Sequence, residues 1–369
     1  MIRTVASLLA LVGLGRGVAR LRRAARGLPT AMGAPAADLR VAAHASPHGR
    51  NGRFTNTEPV SPLRPLAVAG VLMHRGGSGR PPRPIPLVSD PGPAVAAPLA
   101  VTWYGHSSVL IEIDGYRVLT DPMWGERASP SPTIGPRRLH PPPVALSELP
   151  DVDAVLISHD HYDHLDLPTV RAVTTSMSAP FVVPPGIGAH LRFWGVPAER
   201  IVELDWGGQV GIGDLVVHAT PARHFSGRGL VRNSTQWASW ALTGPAHRVF
   251  FGGDTGYTSA FREIGAELGP FDLTVLPIGA YADAWPDVHM TPEQAVQAHL
   301  DLAGRALLPV HWATFDLGMH TWAEPVERLT RAAAPAGIPL AVPRPGARVD
   351  LALLTAPEQW WAEPGAGIT

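Results

Sequence analysis

The chain has 369 residues, 45% of them hydrophobic and 17% charged, which is enough apolar material for a sizeable core and excludes wholesale disorder. Cys is absent, so disulfides, thiolate metal sites and cysteine nucleophiles are excluded and any metal must be held by His and carboxylates. The net charge of −1 hides two unlike parts: residues 1–90 carry 13 Arg against Asp38, Glu58 and Asp90, net +10, while residues 91–369 carry 17 Arg against 28 acids, net −11.

The first element is an apolar run over residues 5–14, about half of the roughly 20 residues that a spanning helix needs. Arg16, Arg20, Arg22, Arg23 and Arg26 follow it, where a signal peptide would place a neutral cleavage region. A helix over about residues 4–26 is expected to lie in the bilayer interface with its arginines on lipid phosphates, making the protein cytoplasmic and peripheral at the membrane. A weakly ordered tail and an exported precursor are the alternatives. Residues 28–98, rich in Ala, Pro, Gly and Arg, show neither helical nor strand period and read as a long extended lead-in after the basic arm of residues 1–27. Its one unusual stretch is GRFTN, residues 52–56.

At Leu99 the texture changes, and the packed domain is expected to run from there to residue 369. LAVTWYGHSSVLIEID, Gly115 and YRVLTDP predict a β-hairpin, in which His106 is expected to brace the turn. Further strands are predicted over residues 154–158, 181–183, 215–219, 239–243, 248–252, 273–277 and 306–310, and helices over 167–177, 258–268, 292–302 and 325–334. Strands and helices are mixed without a repeat period, which indicates an α/β layered domain.

The most informative segment is LISHDHYDHLD, where a buried strand runs into His159, His161, Asp163 and His164. Four potential ligands within six residues can serve two metals if the chain folds sharply at a strand end. Imidazole and carboxylate suit zinc, and also manganese or iron. Three more strand ends deliver His224, Asp254 and His311. Each alone reads as well as a structural histidine or a turn residue; the order of the set gives it meaning.

That order resembles the metallo-β-lactamase superfamily, which implies an αβ/βα sandwich with a dinuclear metal site at one edge of the sheets. The resemblance implies that His159, His161 and His224 hold one ion and Asp163, His164 and His311 the other, with Asp254 between them. The chain is similar in particular to the branch of N-acyl-phosphatidylethanolamine-hydrolysing phospholipases D, with interruptions from about Gly52 to Gly346. The similar segments are GRFTN, VTWYGHSSVLIEIDG, LTDPMWGERASPSPTIGPRR, SELPDVDAVLISHDHYDHLD, IVELDW, FFGGDTGY, FREIGAELGPFDLTVLPIGAY and HMTPEQAVQAH followed by LLPVHWATF. RASPS, GPFDL and PIGAY point to this branch rather than to the fold at large.

What the resemblance implies is a metal-dependent phosphodiesterase of phospholipase D type, with two divalent ions, most simply Zn²⁺, and a hydroxide between them that attacks phosphorus. N-acyl-phosphatidylethanolamine-like lipid would yield an N-acylethanolamine and phosphatidic acid. Asp163 would also relay a proton, His289 and His320 would contact phosphate or a leaving oxygen, and Asp121 would orient a metal-bound imidazole. Met123, Trp124, Leu139 and Trp285, in loop-like segments near these motifs, are nominated as acyl-chain contacts, with local core plugs as the alternative. The expected partners are phospholipid and, through the basic arm, a membrane surface. The acidic domain disfavours nucleic acid. The competing functions are a hydrolase of a soluble lactone, ester or other phosphodiester, and a non-catalytic metal-stabilised membrane-binding protein.

Overall fold

The computed structural model of the chain describes residues 27–61, 79–229 and 231–362, so the helix expected over residues 4–26 lies outside the described residues. The lead-in departs from the extended reading. It forms α1 (Leu28–Met32), α2 (Ala36–Ala45), β1 (Gly49–Arg50) and β2 (Arg53–Phe54), and Leu39, Ala43 and Phe54 are buried. The apolar residues of AADLRVAAHA are mostly Ala, which favours a helix by propensity yet leaves no amphipathic stripe to read.

Then β3 (Leu99–Gly105), β4 (Ser108–Ile113) and β5 (Tyr116–Thr120) form an antiparallel meander. β6 (Ala154–Leu156), α3 (Leu167–Ser176), β7 (Phe181–Val183), α4 (Ile187–Phe193) and β8 (Ile201–Glu203) continue that sheet with parallel strands, as helical crossovers require. The second sheet repeats the plan. β9 (Gln209–Ile212), β10 (Leu215–Thr220), β11 (Ser239–Thr243) and β12 (Arg248–Phe251) are antiparallel. α5 (Ala260–Leu268), β13 (Phe271–Pro277), α6 (Pro292–Asp301) and β14 (Gly304–Val310) extend it in parallel. After α7 (Glu324–Ala333), β15 (Arg348–Asp350) returns to pair with β3. The sheets thus run β15-β3-β4-β5-β6-β7-β8 and β14-β13-β12-β11-β10-β9.

Side-chain alternation sets the layers. Val109, Ile111 and Ile113 of β4 join Val217, Trp240 and Phe250 in the core between the sheets, while Leu110, Leu119, Val155 and Phe181 face Val170 and Val173 of α3 and Leu191 of α4. Phe261 of α5, Ala295 of α6 and Leu329 of α7 cover the second sheet, giving the expected αβ/βα sandwich. Trp103, Trp312 and Trp360 stack in a buried column, with ring centroids 5.6 and 5.3 Å apart, that ties the C-terminal segment to the first sheet. Among the described residues no helix is long and apolar enough to cross a membrane.

Candidate metal centre

All seven sequence-nominated ligands follow strands at one edge of the sandwich: four after β6, His224 after β10, Asp254 after β12 and His311 after β14. Backbone pairing ends there, so these side chains are released from the pleat to converge. Asp166 marks the end of the four-ligand loop by capping α3, its carboxylate accepting from Thr169 N at 3.1 Å, a cap worth about 1 kcal/mol. Asp254 needs the glycine before it: Gly253 has φ +57°, and a Cβ there would lie 2.4 Å from that of Ser158.

The donors form two groups around Asp254. In the first, His159 Nε2 and His224 Nε2 lie 2.8 and 3.3 Å from His161 Nδ1. Burial, and then the neighbouring imidazoles, hold His159 well below the usual histidine range, and burial likewise lowers His161 and His224. Their lone pairs are therefore free, the protonation state a metal ligand requires. In the second group, His164 Nε2 lies 3.5 Å from Asp163 Oδ2 and 3.2 Å from Asp254 Oδ2, and His311 Nε2 lies 3.4 and 3.0 Å from the same atoms. Burial alone would lower His311, but Asp254 and Asp163 outweigh it and push it up to about 9. A divalent ion answers the same negative charge by displacing that proton.

Three of the histidine ligands are aimed by partners through Nδ1. His164 Nδ1 donates to Asp121 Oδ2 at 2.7 Å, and Asp121 also accepts from Ser158 N and Oγ at 2.6 Å each. The Ser158 hydroxyl, having donated to Asp121, accepts from His159 Nδ1 at 2.9 Å. His224 Nδ1 donates to Val288 O at 2.8 Å. This is the orienting task that the resemblance implies for Asp121. His311 and Asp121 are held with φ of +63° and +35°, local strain concentrated at the centre. A metal fits this donor set: Asp254 Oδ1 is buried without a hydrogen-bond partner, an arrangement that is costly unless something else satisfies it, and the ligand nitrogens of His159, His161 and His224 lie within 4.8 Å of one another.

The remaining nominations divide. His289 Nδ1 lies 3.9 Å from Asp254 Oδ2 and has no hydrogen-bond partner; burial pushes it down to about 4, so the ring is neutral. His320 shares with His289 the lining of a cavity of about 460 Å³, but its Nε2 accepts from Ala280 N at 2.8 Å and its Nδ1 donates to Thr321 O at 2.9 Å. Both its nitrogens are thus engaged in this structure, bracing the loop at Ala280. Met123 is 1% exposed, a buried side chain. Trp124 donates its indole N–H to Val144 O, and with Leu139 lines an arginine-bordered cavity of about 680 Å³ that none of the seven ligands lines. Trp285 alone of the four shares a cleft, about 150 Å³, with a ligand, His224. His106 does more than the brace expected of it. Its carbonyl accepts from Trp103 Nε1, and its Nε2 donates to Asp163 Oδ2 at 2.9 Å. A side chain lifted by a turn with φ +52° leaves no pattern in sequence.

Because Asp254 and Asp163 outweigh burial and raise His311 to about 9, and Asp254, Asp163 and Asp121 raise His164 as well, ion uptake at neutral pH is expected to expel protons and affinity to rise with pH. Calorimetry in buffers of different ionisation heat reads the proton release directly. Affinity that stays flat between about pH 6 and 8 would contradict the charge balance described.

Comparison with known proteins follows the same line. Residues 116–312 match the β-lactamase superfamily domain. An uncharacterised protein of Mycobacterium tuberculosis is 56% identical over 355 residues, covering 92% of this chain and 94% of its own. N-acyl-phosphatidylethanolamine-hydrolyzing phospholipase D 1 of Caenorhabditis elegans is 38% identical over 244 residues, 63% of this chain and 68% of that one. The mitochondrial protein of that name from Saccharomyces cerevisiae is 34% identical over 255 residues, and the match spans 66% of this chain and 54% of its length. Among solved structures, isothiocyanate hydrolase from Delia radicum gut bacteria matches with a TM-score of 0.54 at 20% identity, over 68% of this chain and 98% of that one, a likeness of fold. With the matched domain covering more than half of the chain and the donors gathered at the sheet edge, the protein belongs to the metallo-β-lactamase superfamily.

Proposed function

We propose that this metal-dependent hydrolase is a phosphodiesterase of phospholipase D type, acting on N-acyl-phosphatidylethanolamine-like lipids. The observation that carries the reading is the likeness to the nematode protein of that name, which extends well beyond the ligands; the fold alone serves many chemistries. Bound at the donors, two divalent ions, most simply Zn²⁺, supply Lewis-acid polarisation of a phosphoryl oxygen and a nucleophile at neutral pH.

The chain's own residues do the rest. Asp163 is anchored through Oδ2 by His106, which leaves Oδ1 to hold and pass on the proton lost by the attacking water. His289, neutral and without a protein partner, presents a ring nitrogen to the phosphate or the departing oxygen. The phosphorus–oxygen bond on the head-group side breaks, the departing oxygen takes a proton, and N-acylethanolamine and phosphatidic acid result. Trp285 and Phe225 offer apolar surface beside His224. The arginines of residues 1–26 provide the membrane contact in this reading.

The test is hydrolysis of an N-acyl-phosphatidylethanolamine in detergent by the purified, chelated and zinc-restored protein, with products resolved by mass spectrometry. The expected result is the N-acylethanolamine and phosphatidic acid pair, lost on chelation and regained with zinc. Protein that holds two ions yet cleaves nothing would overturn the substrate and direct the search to soluble esters, lactones or phosphodiesters.

A further inference from the structure

The stretch GRFTN stood apart in the sequence without a role, and its last residue lies 168 positions from the ligand it touches. Asn56 Nδ2 donates to His224 O at 2.7 Å, and His224 N donates back to Asn56 Oδ1 at 3.0 Å. Trp237 Nε1 donates to the same Oδ1 at 3.1 Å. The side-chain amide therefore pairs with both main-chain groups of one residue, as a neighbouring strand would. His224 needs such a neighbour because β10 ends at Thr220 and the isolated bridge beyond it, Arg223 with Gly256, stops one residue short of the ligand.

We propose that residues 53–61 of the lead-in are a working part of the metal centre, with Asn56 as a positioning residue that holds the backbone of His224 and so fixes where its imidazole nitrogen points. The other ligands are held from within the domain: His159 by Ser158, His164 by Asp121, and His311 through its own N–H on His106 O at 2.9 Å. His224 has its ring fixed by Val288 and its backbone by Asn56, and the two together leave it one orientation.

The segment that carries Asn56 is itself pinned on both sides. Phe54 is fully buried and its N–H donates to Asn233 O at 2.8 Å. Glu58 accepts from Ser259 N at 2.7 Å and from Thr258 Oγ1 at 2.8 Å. Pro59 O accepts from the Arg223 guanidinium, and Ser61 N donates to Asp287 Oδ2 at 2.7 Å. Val60 and Ser61 also wall the cleft that His224 and Trp285 share. Only Asn has the required donor and acceptor at this reach. Asp would set a second oxygen against His224 O, and Gln is one methylene too long.

The test reads metal binding, which does not depend on the substrate proposed above. Asn56→Asp and the wild type are loaded with Co²⁺, and affinity, stoichiometry and the visible absorption spectrum are compared, together with thermal unfolding of the metal-free proteins. The expected result is a folded variant whose weaker-bound ion is lost at about 10–100-fold lower concentration of chelator, with an altered spectrum. Ser89→Ala, which removes a hydrogen bond of the lead-in to Pro143 O away from the ligands, is expected to bind both ions as the wild type does. Wild-type affinity and spectrum in Asn56→Asp overturn the proposal, and so does an equal loss in Ser89→Ala. Should Asn56→Asp fail to fold, Asn56→Ser is measured in the same way. Undisturbed metal binding there, or unfolding of both metal-free variants, reduces Asn56 to a plain structural residue.

Discussion

Asp254→Asn is expected to lower turnover by at least about 10³-fold and to cut the bound metal from two ions per chain to one or none. The reason is geometric. Asp254 Oδ2 lies 3.0 Å from His311 Nε2 and 3.2 Å from His164 Nε2, and 3.9 Å from nitrogens of His159, His224 and His289. No other carboxylate among the described residues reaches both donor groups. Asn fills the same space but removes the negative charge that two neighbouring cations require, and a group that acts as part of a unit costs nearly the whole unit when lost. Asp163→Asn is the matched comparison. Its carboxylate contacts His106, His164 and His311 alone, so that variant should keep the ion of the three-histidine group and lose turnover by orders of magnitude. Metal analysis beside the lipid assay decides both. Two ions and turnover within about tenfold of wild type in Asp254→Asn would remove the residue from the centre.

Arg228→Met should cost about 3–5 kcal/mol of stability. The guanidinium is 7% exposed. It donates to Asp160 O at 2.6 Å and Leu165 O at 2.7 Å in the metal loop, and to Ala31 O at 2.8 Å and Met32 O at 3.2 Å in the lead-in. It also lies over the rings of Tyr162 and Trp194, at 4.1 and 5.0 Å. Met would fill part of the volume and leave four carbonyls short of a donor. Lys would recover little, since one ammonium cannot reach four acceptors spread around a planar fork. Urea unfolding of the metal-free protein measures the loss, and a change below about 1 kcal/mol would show that the carbonyls find other partners.

Sequence reading succeeded where cause and effect are close along the chain. His159, His161, Asp163 and His164 fall within six residues after an apolar strand, and a strand end is where a side chain can leave the pleat. The strands at 181–183 and 239–243 appear at the bounds expected, because each is a short apolar run between turn residues. What stayed hidden depends on partners far away in sequence. α2 is too Ala-rich to show a stripe, so a lead-in that read as extended is in fact built into the domain. The work of Asn56 and Arg228 depends on contacts 168 and 197 residues distant. Residue type alone did not show the surroundings of His320 and Met123: the histidine engages both nitrogens with backbone groups, and the methionine is buried.

The column of Trp103, Trp312 and Trp360 has an optical consequence. Trp312 follows the ligand His311 directly, and its ring is stacked on Trp103 with an interplanar angle of 13°. Parallel indoles this close couple their excited states. Since Trp312 is bonded directly to the ligand His311, any shift of that ligand on metal uptake moves one member of the column, and near-ultraviolet circular dichroism of the clear, lipid-free protein is expected to follow the state of the centre.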